Sequence, residues 1–160
     1  MTTSDPALIL ARIDQTYRAL FQTLGDLSDE DLQQPGMVGS WRGVDLLAHL
    51  ARWEEAGLAV IDHHLRGEPA PDDYRDYEAW NARWAAEDAS LAPAAARQRW
   101  TRAHQQLMDR LRGLSPAQWD EVVRDWVEGV TAGHYEEHLA DVLAWRRRIS
   151  QPAEPPGTCC

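Results

Sequence analysis

The sequence predicts an all-α protein, an antiparallel four-helix bundle in which two similar helical hairpins are joined by a helical crossover. Four long segments carry apolar residues at helical spacing, and neighbouring β-branched residues are too few to build a sheet. An internal repeat is the second observation: the pattern Leu-x-x-Leu-Ser occurs at residues 24–28 and again at residues 111–115. Because two such hairpins pack against each other around a shared core, the repeat predicts one domain over residues 1–150.

The first half is predicted to contain two long helices. The first begins with Asp5 as its cap and a proline at its first position, and Gly25 ends it. The second is expected to run from about Gly43 to Arg66, with Gly67 as its stop. Between the two helices lie a short capped turn and a loop that contains a proline and two glycines.

The second half is predicted to repeat this arrangement after the crossover. A less regular helix over residues 74–88 is expected to connect the two halves. Pro93 opens the third long helix, and Thr131 is the expected cap of the last one. The tail, residues 151–160, is rich in proline and is predicted to be disordered.

Three histidines are the candidate functional residues. His134 and His138 are four positions apart in the last predicted helix, so their side chains share one face. His49 belongs to a His-Leu-Ala segment that recurs at His138, so a two-fold relation between the hairpins would bring these residues together. Neutral imidazole is a common ligand of transition metals, and a site with three protein ligands keeps a position for water or substrate. The three residues therefore predict a catalytic site for a divalent metal ion, with zinc or nickel as the expected ion.

Two residues close to His49 are candidates for supporting roles. Asp45 precedes His49 by one helical turn. Its carboxylate could orient the imidazole as a hydrogen-bond acceptor, act as a fourth ligand, or remain solvated. Trp41 enters the same helix beside the loop that is expected to rim the site, so it is a candidate substrate contact. The other tryptophans are expected in the core, where their large apolar area stabilises a small bundle.

The remaining histidines and the nearby glutamates carry no assigned catalytic role. His63 and His64 lie near the end of the second helix, where protonated histidine suits the helix dipole, and are expected at the surface. His104 borders an apolar stripe and is expected to be structural. Four glutamates lie near the histidines in the sequence, but none can be assigned as a general base: Glu54, Glu55, Glu136 and Glu137.

Composition restricts the classes of partner and the compartment. The formal net charge is −10, which opposes binding to the phosphates of nucleic acid, and no apolar run is long enough to cross a membrane. The start of the chain lacks the basic region of a signal peptide. Cys159 and Cys160 are adjacent and cannot cross-link a core, which favours a reducing, cytoplasmic location. The expected partner is a small-molecule substrate, with nucleic acid and membranes excluded and a homodimer left open.

The segments GSWRGVDLLAHLARWEE and TAGHYEEHLADVLAWR resemble the two signature regions of the DinB-like superfamily. That superfamily includes YfiT-like proteins and consists of four-helix bundles regarded as metalloenzymes. In the family, one histidine of the second long helix and a His-x-x-x-His pair of the last helix hold a divalent metal, and the matching residues are His49, His134 and His138. Residues 77–111 are similar in character to the ClbS/DfsB branch, whose ClbS-type members protect their host from a reactive, DNA-damaging natural product.

Two functions from different classes are compatible with these residues. In the first, the metal activates a low-molecular-weight thiol for attack on a small electrophilic compound, which would make the protein a detoxifying S-transferase; a hydrolase would activate water at the same site. In the second, the protein resembles ClbS and DfsB in binding or hydrolysing a reactive small molecule, and the metal is optional. The sequence identifies neither the substrate nor the thiol.

Overall fold

The computed structural model describes residues 5–151, and within that range the chain is helical and forms no β-strand. The all-α class predicted from the sequence is therefore confirmed. The helices are α1 (Pro6–Gly25), α2 (Asp29–Gln33), α3 (Gly43–Leu65), α4 (Tyr77–Glu87), α5 (Pro93–Arg112), a short 3-10 helix (Pro116–Gln118), α6 (Glu121–Val130) and α7 (Ala132–Ser150).

Local sequence signals place the ends of the long helices α1, α3 and α5, whereas Thr131, the expected cap of α7, makes no capping hydrogen bond with its side chain. The side chain of Asp5 accepts a hydrogen bond from the backbone amide of Ala7, and prolines occupy the first positions of α1 and α5. Gly67, just after α3, has a φ of 71°, a left-handed conformation that favours glycine. Helix α4 begins three residues later than expected, because Asp76 caps it by accepting from the amide of Ala79.

Helix α6 has no counterpart among the helices predicted from the sequence. Its start is fixed by Asp120, whose side chain accepts a hydrogen bond from the amide of Val123. Val123, Val127 and Val130 then fall on one face and are buried, at the spacing expected for a helix. The cap followed by this valine stripe is the signal that identifies α6 in the sequence.

The long helices pair mainly between the halves of the chain. Helix α3 packs most extensively on α5, and α1 packs on α7, while α6 lies against both α3 and α7. Buried residues from all of these helices form one continuous apolar cluster. Gly57 allows α6 to approach α3 closely, since a Cβ at this position would lie 2.8 Å from a methyl carbon of Val130. This packing puts α6 beside the part of α3 that carries His49.

Some expectations about the chain ends concern residues that the structure leaves undescribed. The predicted disordered tail lies, from residue 152 onwards, outside the described residues, and so do Cys159 and Cys160. Among the helices of residues 5–151, none combines the length and the apolarity needed to cross a bilayer.

Candidate metal centre and its cavity

The three histidines singled out in the sequence meet in the structure. His49 extends from α3, and His134 and His138 extend from neighbouring turns of α7. The Nε2 atoms of His49 and His134 are 2.8 Å apart, those of His134 and His138 are 3.0 Å apart, and those of His49 and His138 are 3.3 Å apart. These residues, here called the histidine cluster, could hold a metal ion with one nitrogen each.

Hydrogen bonds alone cannot satisfy this triangle of nitrogens. A hydrogen bond needs one donor and one acceptor, so at least one of the three pairs must consist of two donors or two acceptors. Burial, followed by the neighbouring imidazoles, lowers the pKa of His49 to about 2, and the same causes lower the pKa of His134 to about 3. Both rings are therefore neutral at physiological pH. A cation placed between three unprotonated nitrogens would resolve the conflict, so the donor set fits a divalent metal.

A carboxylate fixes the orientation of one ring in the cluster. The Nδ1 atom of His138 lies 3.1 Å from an oxygen of Asp141, which is three residues further along α7. Because an ionised carboxylate can only accept, Nδ1 donates the proton and Nε2 retains the lone pair that faces the cluster. The Nδ1 atom of His134, in contrast, is buried and has no hydrogen-bond partner among the described residues. Asp141 was missed in the sequence, although its position one turn after His138 is a readable signal.

The two residues near His49 differ in their surroundings. Arg42 engages both carboxylate oxygens of Asp45: its backbone amide and Nε bond to one oxygen, and its Nη2 bonds to the other at 2.8 Å. Partial burial raises the pKa of Asp45, but the hydrogen bonds from Arg42 outweigh this effect and bring it below its ordinary value. Asp45 thus caps the start of α3. Trp41 lines the cavity beside the histidine cluster, with its ring 4.8 Å from the ring of His49.

The histidine cluster opens into a cavity of about 570 Å³. Five aromatic side chains from α3, α4, α6 and the segments before α3 and α4 line it: Trp41, Trp53, Tyr74, Tyr77 and Trp126. The amide oxygen of Asn81 accepts a hydrogen bond from the indole of Trp53 at 2.8 Å and orients this wall. The sequence predicts that Trp41 alone among the tryptophans approaches the site. In the structure Trp53 and Trp126 also line the cavity, because α6 places Trp126 opposite α3.

The glutamates and the other histidines lie in different environments. Glu55 pairs with Arg99 and Glu136 with Arg12, whereas Glu137 lines the cavity. His63 and His64 are partly exposed, and the Nε2 atom of His64 lies 2.7 Å from a carboxylate oxygen of Asp120. Glu54 is fully buried and does not belong to the cavity lining.

Glu54 is the centre of a second buried polar group, here called the glutamate cluster, which also contains Trp100, His104 and Tyr135. One carboxylate oxygen of Glu54 accepts hydrogen bonds from the indole of Trp100 and the hydroxyl of Tyr135. Since the hydroxyl proton of Tyr135 is used in this way, its oxygen accepts from Nδ1 of His104 at 2.9 Å. The ring of His104 stacks on Tyr17 with centroids 3.5 Å apart. The structural role expected for His104 agrees with these contacts.

Comparisons with known proteins agree with this fold. A family model described as the DinB superfamily matches residues 12–146. The solved structure of DfsB, described as a sibling lethal factor precursor, has a TM-score of 0.80 at 13% identity and covers 93% of this chain and 99% of its own. The colibactin self-resistance protein ClbS, in complex with a dsDNA, has a TM-score of 0.77 at 13% identity, with coverages of 92% and 98%.

An uncharacterised protein from Escherichia coli has a TM-score of 0.75 at 14% identity and covers 92% of this chain and 96% of its own. At these identities the structural likenesses show the fold alone. No curated protein matches the sequence significantly.

The prediction that nucleic acid is excluded as a partner is wrong. ClbS has the same fold and is solved in complex with a dsDNA. The prediction was based on the net charge of −10, which is a sum over the whole chain. A duplex contacts only part of a protein surface, so the local distribution of charge decides whether it binds. Net charge therefore does not remove nucleic acid from the set of partners for this fold.

Proposed function

The chain belongs to the DinB superfamily, and on this basis we propose that it is a metal-dependent enzyme whose histidine cluster holds a divalent ion. The observation that carries this proposal is the triangle of Nε2 atoms within 3.3 Å of one another at an open cavity. Zinc and nickel suit three neutral imidazoles. Three protein ligands leave room for an exchangeable one, and the cavity gives that position access to small molecules.

The proposed reaction is transfer of a small thiol to an electrophilic compound, or hydrolysis of such a compound at the same site. When bound, the ion supplies the charge that lowers the pKa of a thiol or of water beside it. The protein's own contribution is positioning: α3 and α7 fix the three imidazoles, and Asp141 fixes the tautomer of His138. The aromatic wall provides the apolar surface that binds the electrophile and excludes water.

Thiol binding to the cobalt-substituted protein tests the transferase proposal. We expect glutathione, bacillithiol or mycothiol to produce a sulfur-to-metal charge-transfer band, and the competent thiol to react with a model electrophile faster than in buffer. His49→Ala should abolish both effects. His64→Ala is the matched control, because His64 is on the same helix but does not line the cavity. If none of these thiols changes the cobalt spectrum, the transferase proposal is wrong. Activity towards hydrolysable electrophiles then tests the hydrolase proposal.

A second candidate function is capture of a reactive compound, with or without metal, and is supported by the fold shared with ClbS and DfsB. On this reading the aromatic cavity is a receptacle, and duplex DNA is a candidate partner because ClbS is solved with one. Binding of a fluorescently labelled duplex, measured by anisotropy at low and at physiological salt, tests the DNA contact. Protection of DNA from a reactive compound that survives His49→Ala would favour capture over the metal-dependent enzyme.

A further inference from the structure

Three aromatic rings form a corner in the wall of the cavity. They belong to Trp53 on α3, Tyr74 before α4 and Trp126 on α6. The ring of Tyr74 meets that of Trp53 at 62° with centroids 6.0 Å apart, and that of Trp126 at 78° with centroids 5.7 Å apart. Parallel rings would form a slot for a flat ligand. Rings that meet at a steep angle form a corner instead, and this corner of Trp53, Tyr74 and Trp126, here called the aromatic box, suits a rounded group better than a flat one.

The formal charges that line the same cavity are negative. Asp125 on α6 and Glu137 on α7 contribute carboxylates, and within residues 5–151 the histidines are the basic side chains that line the cavity. A shortage of basic residues does not explain this lining, because the chain carries 16 Lys and Arg residues in total. Elsewhere arginines pair with buried carboxylates, as Arg52 and Arg99 do with Asp88. The lining of this cavity combines two exposed carboxylates with aromatic rings and includes no arginine among the described residues.

Both features favour the same kind of ligand. The faces of tryptophan and tyrosine rings attract cations through their quadrupoles, and carboxylates do so through their charge. An anionic group beside these rings and carboxylates would be repelled by both. We propose that the ligand of this cavity carries a cationic nitrogen, as an ammonium or quaternary ammonium group, held against Trp53, Tyr74 and Trp126 and attracted by the carboxylates of Asp125 and Glu137 in the same lining.

This inference deepens the proposed function, because it specifies the class of the thiol or electrophile that the cavity accepts. The box and its carboxylates are formed by protein residues alone. Recognition of the cation therefore needs no metal ion, and the two proposals can be tested separately.

A matched pair of probes measures the preference for charge. Choline and 3,3-dimethylbutan-1-ol have nearly the same shape, but only choline carries a positive nitrogen. Tryptophan fluorescence of the full chain, stripped of metal, should show choline binding about tenfold more tightly than the neutral alcohol. Equal affinities, or tighter binding of the alcohol, would overturn the proposal.

Two substitutions locate the binding of choline. Trp126→Leu removes one wall of the box, and Asp125→Asn removes one charge at an exposed position where the fold should be undisturbed. Each should reduce the preference for choline severalfold, whereas the control Glu121→Gln, on the same helix outside the cavity, should leave it unchanged. Circular dichroism checks that the Leu variant is folded. If both variants kept the preference for choline, choline would bind elsewhere on the protein and the proposal would be wrong.

One further variant separates this proposal from the metal-dependent function. His138→Ala should lose metal and keep the preference for choline, because His138 is not part of the box. If the wild type binds no metal but prefers choline, the cation site stands and the metal-dependent enzyme falls. If the wild type binds metal but does not distinguish choline from the alcohol, the cation site falls and the metal centre stands.

Discussion

The histidine cluster and the glutamate cluster both take residues from α3 and α7, and the glutamate cluster takes two more from α5, yet the clusters differ in how their donors are satisfied. Helix α3 supplies His49 to one and Glu54 to the other, and α7 supplies His134 and Tyr135. In the glutamate cluster all three donors find acceptors inside the core, although the second carboxylate oxygen of Glu54 accepts no hydrogen bond from a described residue and lies 3.5 Å from Nδ1 of His104. In the histidine cluster no arrangement of protons satisfies all three nitrogen pairs.

Charge state does not distinguish the two clusters. Burial raises the pKa of Glu54 and, together with the contact to Glu54, that of Tyr135, while burial and neighbouring rings lower the pKa of His49 and His134. All of these shifts favour neutral forms. The informative difference is access: the histidine cluster combines its conflict of donors and acceptors with an open cavity, which indicates a binding site, whereas Glu54 is closed off in the core and accepts from two neighbouring donors, which indicates a structural role.

The largest expected effect is on stability, from Glu54→Ala. The substitution leaves the indole of Trp100 and the hydroxyl of Tyr135 without an acceptor and creates a cavity in the core. We expect the free energy of unfolding to fall by about 3 to 5 kcal/mol, measured by urea denaturation. Folded protein should retain the wild-type metal content. Glu55→Ala, at an exposed ion pair, is the control and should cost about 1 kcal/mol or less. If Glu54→Ala lowered the free energy of unfolding only slightly, the structural role assigned to the glutamate cluster would be wrong.

The next effect is on metal affinity, from His138→Ala. With two imidazoles left, we expect affinity for zinc or nickel to fall by more than about a hundredfold. Removing a metal ligand should cost more affinity than removing a residue that only hydrogen-bonds to a ligand. Elemental analysis of protein purified without a nickel column gives the metal content, and His64→Ala should keep it. Full metal retention by His138→Ala would show that the three histidines do not form the site.

A smaller effect is expected from Asp141→Ala. The carboxylate of Asp141 holds the proton on Nδ1 of His138, so its removal frees the ring to adopt the tautomer that points a proton into the cluster. We expect metal affinity to fall by about tenfold, measured by competition with a chelator. Asp141→Asn keeps an acceptor and should lie between the Ala variant and the wild type. Equal affinities for all three proteins would show that Asp141 plays no part.

The smallest effect is a pH dependence, visible with Glu54→Gln. The glutamine keeps an acceptor for Trp100 and Tyr135, so at acidic pH the free energy of unfolding should change by about 1 kcal/mol or less. The pKa of Glu54 is raised above 4.5 in the folded state, so this group stabilises the fold below that pH and loses its contribution as the pH rises through the folded value.

Glutamine does not ionise, so the Gln variant does not lose this contribution to the free energy of unfolding as the pH rises. Its stability relative to the wild type should therefore improve between about pH 5 and pH 8, as measured by urea denaturation at each pH. A difference between the two proteins that stays constant across this range would contradict the shifted pKa.

The histidine cluster could be predicted from the sequence because local spacing and an internal repeat both point to it. A separation of four residues places His134 and His138 on one helix face, and the repeat places His49 opposite them. The aromatic box could not be predicted in this way. Trp53, Tyr74 and Trp126 come from three separate segments, and the packing of α4 and α6 on α3 brings them together.

The role of Glu54 could not be predicted from the sequence either. It is next to Glu55 on the same helix, and the two residues have the same chemistry, yet one is fully buried and the other pairs with Arg99 near the surface. The direction in which each side chain points depends on the rotation of α3 about its axis. That rotation is set by packing against α5 and α6, which a single sequence does not reveal.

The absence of a side chain at Gly57 makes the width of the cavity adjustable by one methyl group. A Cβ here would meet the side chain of Val130, which lies on α6 one turn from Trp126. Gly57→Ala would push α6 outward and carry Trp126 away from Trp53, whereas a smaller residue at position 130 would let α6 return. The pair of positions therefore acts as a spacer, through which ligand size could be tuned in engineered variants without changing the histidine cluster or the aromatic box.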